Sequence, residues 1–201
     1  MAETTGLTRL LRAIATLDRE AAAHLLSSTP SLATASLVRR EEVFLAERNA
    51  QVYEGDTALH AAGFSYDPEM ARDLIARGAD IRAKNRRGAE PLHSAAIGSP
   101  GSAGWDPARQ RAVIGYLVGA GADPNATAAG GVTPLHRAVR NRCSAAVEAL
   151  LQAGADPRLH NDRGSTAADL AHWGTGRSGT GSDAAKVEQQ LILELLEACT
   201  P

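Results

Sequence analysis

Residues 55–63 read GDTALHAAG, and near-copies return as GAEPLHSAA from Gly88, GVTPLHRAV from Gly131 and, in worn form, GSTAADLAH from Gly164. The intervals are 33, 43 and 33 residues. A second marker keeps step: ARGAD ends at Asp80, GAGAD at Asp123 and QAGAD at Asp156, 43 and 33 residues apart. Two independent markers on one period mean stacked copies of a small unit, each burying its apolar face against the next.

Each copy spells out its own local structure. In T-A-L-H and T-P-L-H the threonine hydroxyl caps a helix starting at the next residue, where Pro is tolerated because the first amide has no intrahelical partner. Ala61, Ala62, Ala95, Ala96 and Ala138 let neighbouring helices approach closely. An apolar pair precedes each later glycine at a fixed distance: Leu74 and Ile75, Leu117 and Val118, Leu150 and Leu151. Gly78, Gly121 and Gly154 then stop the second helices by taking the left-handed C-cap conformation.

These residues resemble the ankyrin repeat family, whose unit is a helix, a turn, a second helix and a projecting β-turn finger. The resemblance covers roughly residues 53 to 198, with a weaker unit before it. It implies an all-α repeat solenoid with an N-terminal helical capping unit. The expected layout is one domain over 1–201: cap 1–36, extended finger 37–52, repeat 1 at 53–84, repeat 2 at 85–127 with an insert at 98–107, repeat 3 at 128–160, and repeat 4 with the C-terminal cap at 161–201, its insert at 174–183.

The ends read as caps. Leu7, Leu10, Leu11, Ile14 and Leu17 stand at helical spacing and are expected on one buried face, and Asp18 is placed to cap a second helix holding Leu25 and Leu26. At the other end Leu191, Ile192, Leu195 and Leu196 are expected in the stack, with Lys186, Glu188, Gln189, Glu194 and Glu197 outside. Ala168 and Asp169 replace the family's Leu and His, as a degenerate terminal unit allows.

Repeat 2 breaks the period. Asp67-Pro68 and Asp106-Pro107 each mark a second-helix start, and the distance to the stopping glycine grows from eleven to fifteen residues. Four of ten added residues therefore lengthen the helix by about one turn, and six enlarge the loop GSPGSAGW. Repeat 4 carries WGTGRSGTGSD in the same slot, and the two tryptophans, Trp105 and Trp173, border the two loops. Either each Trp anchors its own loop or the loops serve recognition. Four residues after the histidine positions stand Phe64, Ile97, Arg140 and Trp173. In ankyrin proteins this position commonly faces the concave groove, which would give a recognition stripe roughly 30 Å long at a helix spacing of about 10 Å. Phe64→Ala and Trp173→Ala are then expected to spare the fold and weaken partner capture.

The fingers offer a second surface. SLVRREEVFLAERNAQVYEGD carries Val43, Phe44, Leu45 and Tyr53, which either meet a partner or pack on the first repeat. RAKNRRG gathers Arg82, Lys84, Arg86 and Arg87, either for an acidic partner or as a solvated hairpin.

Composition narrows the function. The 201 residues include 40 Ala and 22 Leu but only 3% aromatics, a mixture suited to short, closely packed helices. A net charge of −2 argues against a general nucleic-acid or anionic-membrane binder. All cations but Lys84 and Lys186 are Arg, which a coding bias explains. MAETTGLTRL shows no secretion signal, no run reaches membrane-span length, and Cys143 and Cys199 form no disulfide framework, so a cytoplasmic chain is expected. His60, His93 and His136 recur at one position per unit, about 10 Å apart in such a stack and too far for one zinc ion. Family resemblance makes them structural, bonded to backbone and to the nearby threonine. GTGRSGTGSD lacks the strand and the Lys-Ser/Thr ending of a phosphate loop. Cys143 begins a helix, a place that can lower a thiol pKa, but no His base is assignable nearby, so the structural reading is preferred.

The reading is a non-catalytic module binding a partner protein through the concave groove and fingers, as a monomer, without cofactor, nucleic acid or membrane. Two alternatives stand. One is a small enzyme whose insert-lined pocket brings together Cys143, His172 and Asp169. The other is an immunity or regulatory protein masking a toxin or enzyme.

Overall fold

The computed structural model describes residues 6–172 and 183–199. Its helices come in hairpins: α1 (Gly6–Ala15) with α2 (Arg19–Ser28), α3 (Ala58–Phe64) with α4 (Pro68–Ala76), α5 (Pro91–Ala95) with α6 (Pro107–Gly119), α7 (Pro134–Arg140) with α8 (Ser144–Gln152), and α9 (Ala167–His172) with α10 (Asp183–Glu197). The first helices α1, α3, α5, α7 and α9 pack each on the next, and α4, α6, α8 and α10 form a parallel row behind them. The architecture is an all-α repeat solenoid.

The signature residues explain the stacking. Leu59, Leu92 and Leu135 are at most 1% exposed, and Leu74, Leu117 and Leu150 are fully buried behind them. Each contributes about 2 kcal/mol of apolar burial. Gly63 sets how closely α3 and α5 approach, since a Cβ there would lie 2.7 Å from the Pro91 carbonyl oxygen. His60 joins two units: its Nδ1 meets the Thr57 hydroxyl at 3.0 Å and its Nε2 meets the Ala89 carbonyl of the next unit at 3.0 Å. His93 repeats the step to the Val132 carbonyl and His136 to that of Ser165. In the worn fourth unit Asp169 takes over the cap, accepting from both the amide and the hydroxyl of Thr166 at 2.8 Å.

The Asp of the G-A-D marker also has a local task. Asp80, Asp123 and Asp156 each accept a hydrogen bond from the amide two residues on, opening a finger with an Asx turn. The fingers are then laddered, one backbone bond per step: Arg86 to Glu54, Ala129 to Arg87 and Asp162 to Gly130. Before the first finger, β1 (Val43–Leu45) pairs antiparallel with β2 (Ala50–Val52).

Helix turns share one corner. Leu17, Tyr66 and Arg142 sit in the left-handed region at φ of 59°, 55° and 56°, each just before the residue that begins a second helix. This corrects the expected cap face: Leu17 lies past the end of α1 and is 39% exposed. Leu191 is also turned outward, at 41%, because Ile192 and Leu196 fill the buried stripe of α10. The long unit follows its spelling, with thirteen residues in α6 against nine in α4. No helix among the described residues is long and apolar enough to cross a membrane.

Candidate functional site

Inner helices, hairpin and the loop of the second unit enclose a cleft of about 830 Å³. The β1–β2 hairpin forms one wall through Arg48, Gln51 and Tyr53. The loop after α5 forms the other through Ser99, Ser102 and Trp105, and the floor carries Phe64, Ser94, Ile97, Arg137 and Arg140. Three members of the predicted stripe thus do meet, with Trp105 beside them. Trp173 and residues 174–182 of the second insert lie outside the described residues.

Phe64 corrects an expectation. It is 9% exposed and belongs to the apolar core, so truncation to Ala is expected to cost about 3 kcal/mol rather than spare the fold. Ile97, 38% exposed, offers the cleft its accessible apolar surface.

The wall loop is built around Gln110. This fully buried side chain donates to the carbonyls of Ala95 at 2.9 Å and Ile97 at 3.1 Å, and accepts from Trp105 Nε1 at 2.9 Å. Trp105 therefore does anchor its own loop onto the lengthened helix while still lining the cleft. Tyr66 Oη also donates to the Ile97 carbonyl, at 2.8 Å. Gly98 threads the gap behind, where a Cβ would meet Cys143 Sγ at 2.6 Å. Arg48 ties the walls together, donating from Nε to the Ala15 carbonyl at 2.8 Å and from Nη1 to the Gly104 carbonyl at 3.0 Å.

Of the finger cations, Arg86 is held in a salt bridge by Glu42 and stacks over Tyr53, and Lys84 lies 3.7 Å from the buried Glu90 carboxylate. Arg82 reaches the Gly121 carbonyl at 3.4 Å, and Arg87 sits over Tyr53, 4.5 Å from the ring centroid. The four are therefore not a free positive projection: internal contacts occupy them, and Arg87 alone faces the cleft. In the long finger Leu45 and Val52 are buried in the hairpin, and Phe44 stands 50% exposed opposite Gln51, outside the set of residues that line the cleft.

Cys143 lies behind Gly98. Its thiol is fully buried and donates to the Asn141 carbonyl at 3.5 Å; burial, with Glu188 nearby, pushes it up to about 12, the reverse of an activated nucleophile. Asp169 is committed to capping α9, and His172 is exposed. Burial depresses the three signature imidazoles, His93 to about 3, so they are neutral hydrogen-bonding groups.

Sequence reasoning missed Arg48 and Arg137. Arg137 follows the signature histidine, where the two preceding units carry Ala61 and Ser94. A long cation in a row of small residues was the available signal. Arg137 is half-buried, and burial lowers its pKa to about 10, Asp56 opposing and Arg87 reinforcing the shift; it remains a cation at neutral pH.

Comparison with known proteins bears on the repeat itself. A family model described as Ankyrin repeat matches residues 54–86, and one described as Ankyrin repeats (many copies) matches residues 117–171. The chain is similar to Ankyrin repeat and SOCS box protein 16 of Mus musculus, 35% identical over 117 residues, or 57% of this chain and 25% of that protein. The Homo sapiens protein of the same name is 31% identical over 116 residues, or 58% of this chain and 25% of its own length. The chain therefore corresponds to about a quarter of the length of these curated relatives.

Proposed function

We propose, from the premise that the chain belongs to the ankyrin repeat family, that it is a non-catalytic module that captures a partner protein in the concave cleft, acting as a monomer. The observation that carries this reading is the convergence of Ile97, Trp105, Arg140 and Tyr53 on one cleft walled by the two segments that exceed the ordinary repeat. Aromatic and Arg side chains on a rigid scaffold are the groups that dominate binding energy at protein interfaces. The wall is pre-organised by Gln110 and Arg48, so little ordering entropy is spent when a partner enters.

The test is selection of a displayed random twelve-residue peptide library on the wild-type chain, with Ile97→Asp as counter-target. Binders are expected to lose at least ten-fold in affinity against the variant, whose melting midpoint should be nearly unchanged because Ile97 is accessible. Binders indifferent to Ile97→Asp would place recognition elsewhere.

A further inference from the structure

The cleft differs in charge from the molecule around it. The whole chain carries −2, yet among the described residues the cleft is lined by four guanidinium groups, Arg48, Arg87, Arg137 and Arg140, and by one carboxylate, Asp56. Asp56 accepts at Oδ2 from the Tyr53 amide at 2.7 Å and at Oδ1 from Asn85 Nδ2 at 2.8 Å; these neutral donors leave its charge in place, so it offsets one of the four cations. Arg48 is held by two carbonyl oxygens, which take up its Nε and one Nη1 donor without neutralising its charge. Arg87 has the face of Tyr53. The side chains of Arg137 and Arg140 make no hydrogen bond or ion pair among the described residues.

Asp56 offsets part of the cost of half-burying Arg137 beside Arg87 and Arg140, but one carboxylate among four guanidinium groups leaves the cleft with surplus positive charge that an incoming anion would relieve. Elsewhere the same chain supplies such partners: Arg19, Arg86, Arg109 and Arg111 each meet a carboxylate. We propose that the cleft is a receptor for an acidic segment of the partner protein, an Asp or Glu carboxylate of that segment docking on Arg137 and Arg140 while a neighbouring apolar side chain rests on Ile97. This deepens the reading of the cleft as a partner site and rests on it. A peptide carboxylate fits because a guanidinium fork pairs with it bidentately, and an extended segment follows the row of first helices.

The experiment uses a peptide from the library above that carries Asp or Glu and is sensitive to Ile97→Asp, its amide counterpart (Asp→Asn, Glu→Gln), and a twelve-nucleotide single-stranded DNA, all measured by fluorescence polarisation. Cleft binders are expected to be enriched several-fold in Asp and Glu over the unselected library. The amide peptide should bind at least ten-fold more weakly than the acidic one, and Arg137→Met with Arg140→Gln should remove that discrimination, so that the acidic and amide peptides bind the variant within about two-fold of each other. If the double variant does not fold, Arg140→Gln alone carries the test, with a partial loss of discrimination expected. Cleft binders without acidic enrichment, discrimination that survives the substitutions, or tighter binding of the DNA than of the acidic peptide would each overturn the inference. A library whose binders all ignore Ile97→Asp would instead bring down the cleft reading beneath it.

Discussion

Arginines on the two faces of this stack behave differently. Along the second helices they join neighbouring units: Arg19 of α2 and Arg109 of α6 converge from either side on Asp67 and Glu69 of α4, Arg111 of α6 pairs with Glu148 of α8, and Arg72 lies over the Tyr116 ring. In the cleft, Arg137 and Arg140 join nothing among the described residues. The outer face uses its guanidinium groups for cohesion, and the cleft holds two of its four ready. A solenoid whose units touch only their neighbours can afford this division, because cohesion is needed across each step and the concave side is free of that duty.

Removing one charge from each face tests the contrast most directly. Asp67 is buried, caps α4 by accepting from the Met70 amide, and receives Arg19 and Arg109. Asp67→Ala should therefore cost about 3 kcal/mol in urea unfolding, through a lost cap and two cations left facing Glu69 alone. A cost below 1 kcal/mol would break the comparison on its cohesive side.

Acid acts on the row between the faces. The folded state holds His93 neutral down to about pH 3, whereas the unfolded imidazole takes its proton near pH 6.5. Stability from this group is complete above pH 6.5 and is lost progressively as pH falls toward 3. At pH 5 the loss should be about 2 kcal/mol. His93→Gln, measured by urea midpoint against pH, should flatten the curve between pH 7 and 5; an unchanged slope would show that another group governs it. Below about pH 4.5 Glu69, which Arg19 holds at about 2, adds a second fall of the same sign.

Arg137→Met should raise stability by about 0.5–1 kcal/mol, since it exchanges an unpaired half-buried cation for an apolar chain of similar length. A loss of more than 1 kcal/mol in the same assay would make Arg137 a structural residue and erase the distinction. The smallest effect belongs to a corner shared by both faces: Arg142→Gly should gain about 0.5 kcal/mol by relieving a left-handed non-glycine residue, and a lower midpoint would contradict the strain assigned there.

The fold was legible because its determinants are local and repeated. T-x-L-H, the G-A-D marker and Asp-Pro each encode a cap, an Asx turn or a helix start that needs no distant partner. Even the one-turn extension of α6 follows from counting between Asp106 and Gly121. The cleft was legible in part: the step of four from each histidine places Phe64, Ile97 and Arg140 together, but spacing does not tell a residue facing the cleft from one half sunk into the core, as Phe64 is. Pairings between distant segments, Glu42 with Arg86 or Arg48 with Gly104, left no trace in the period, so the fate of the finger cations was hidden. Leu17 was misplaced because helical spacing continued across a corner that the chain takes in the left-handed region.

That corner has a practical consequence. The protein already carries both a tight connection between the two helices of a unit, at 141–142, and a longer one, at 98–106, which Trp105 anchors on Gln110 of α6. Splicing six residues into the third unit beside Arg142 should therefore extend the rampart over Arg140 without shifting any neighbour, offering a graft point from which binding specificity can be re-engineered one unit at a time.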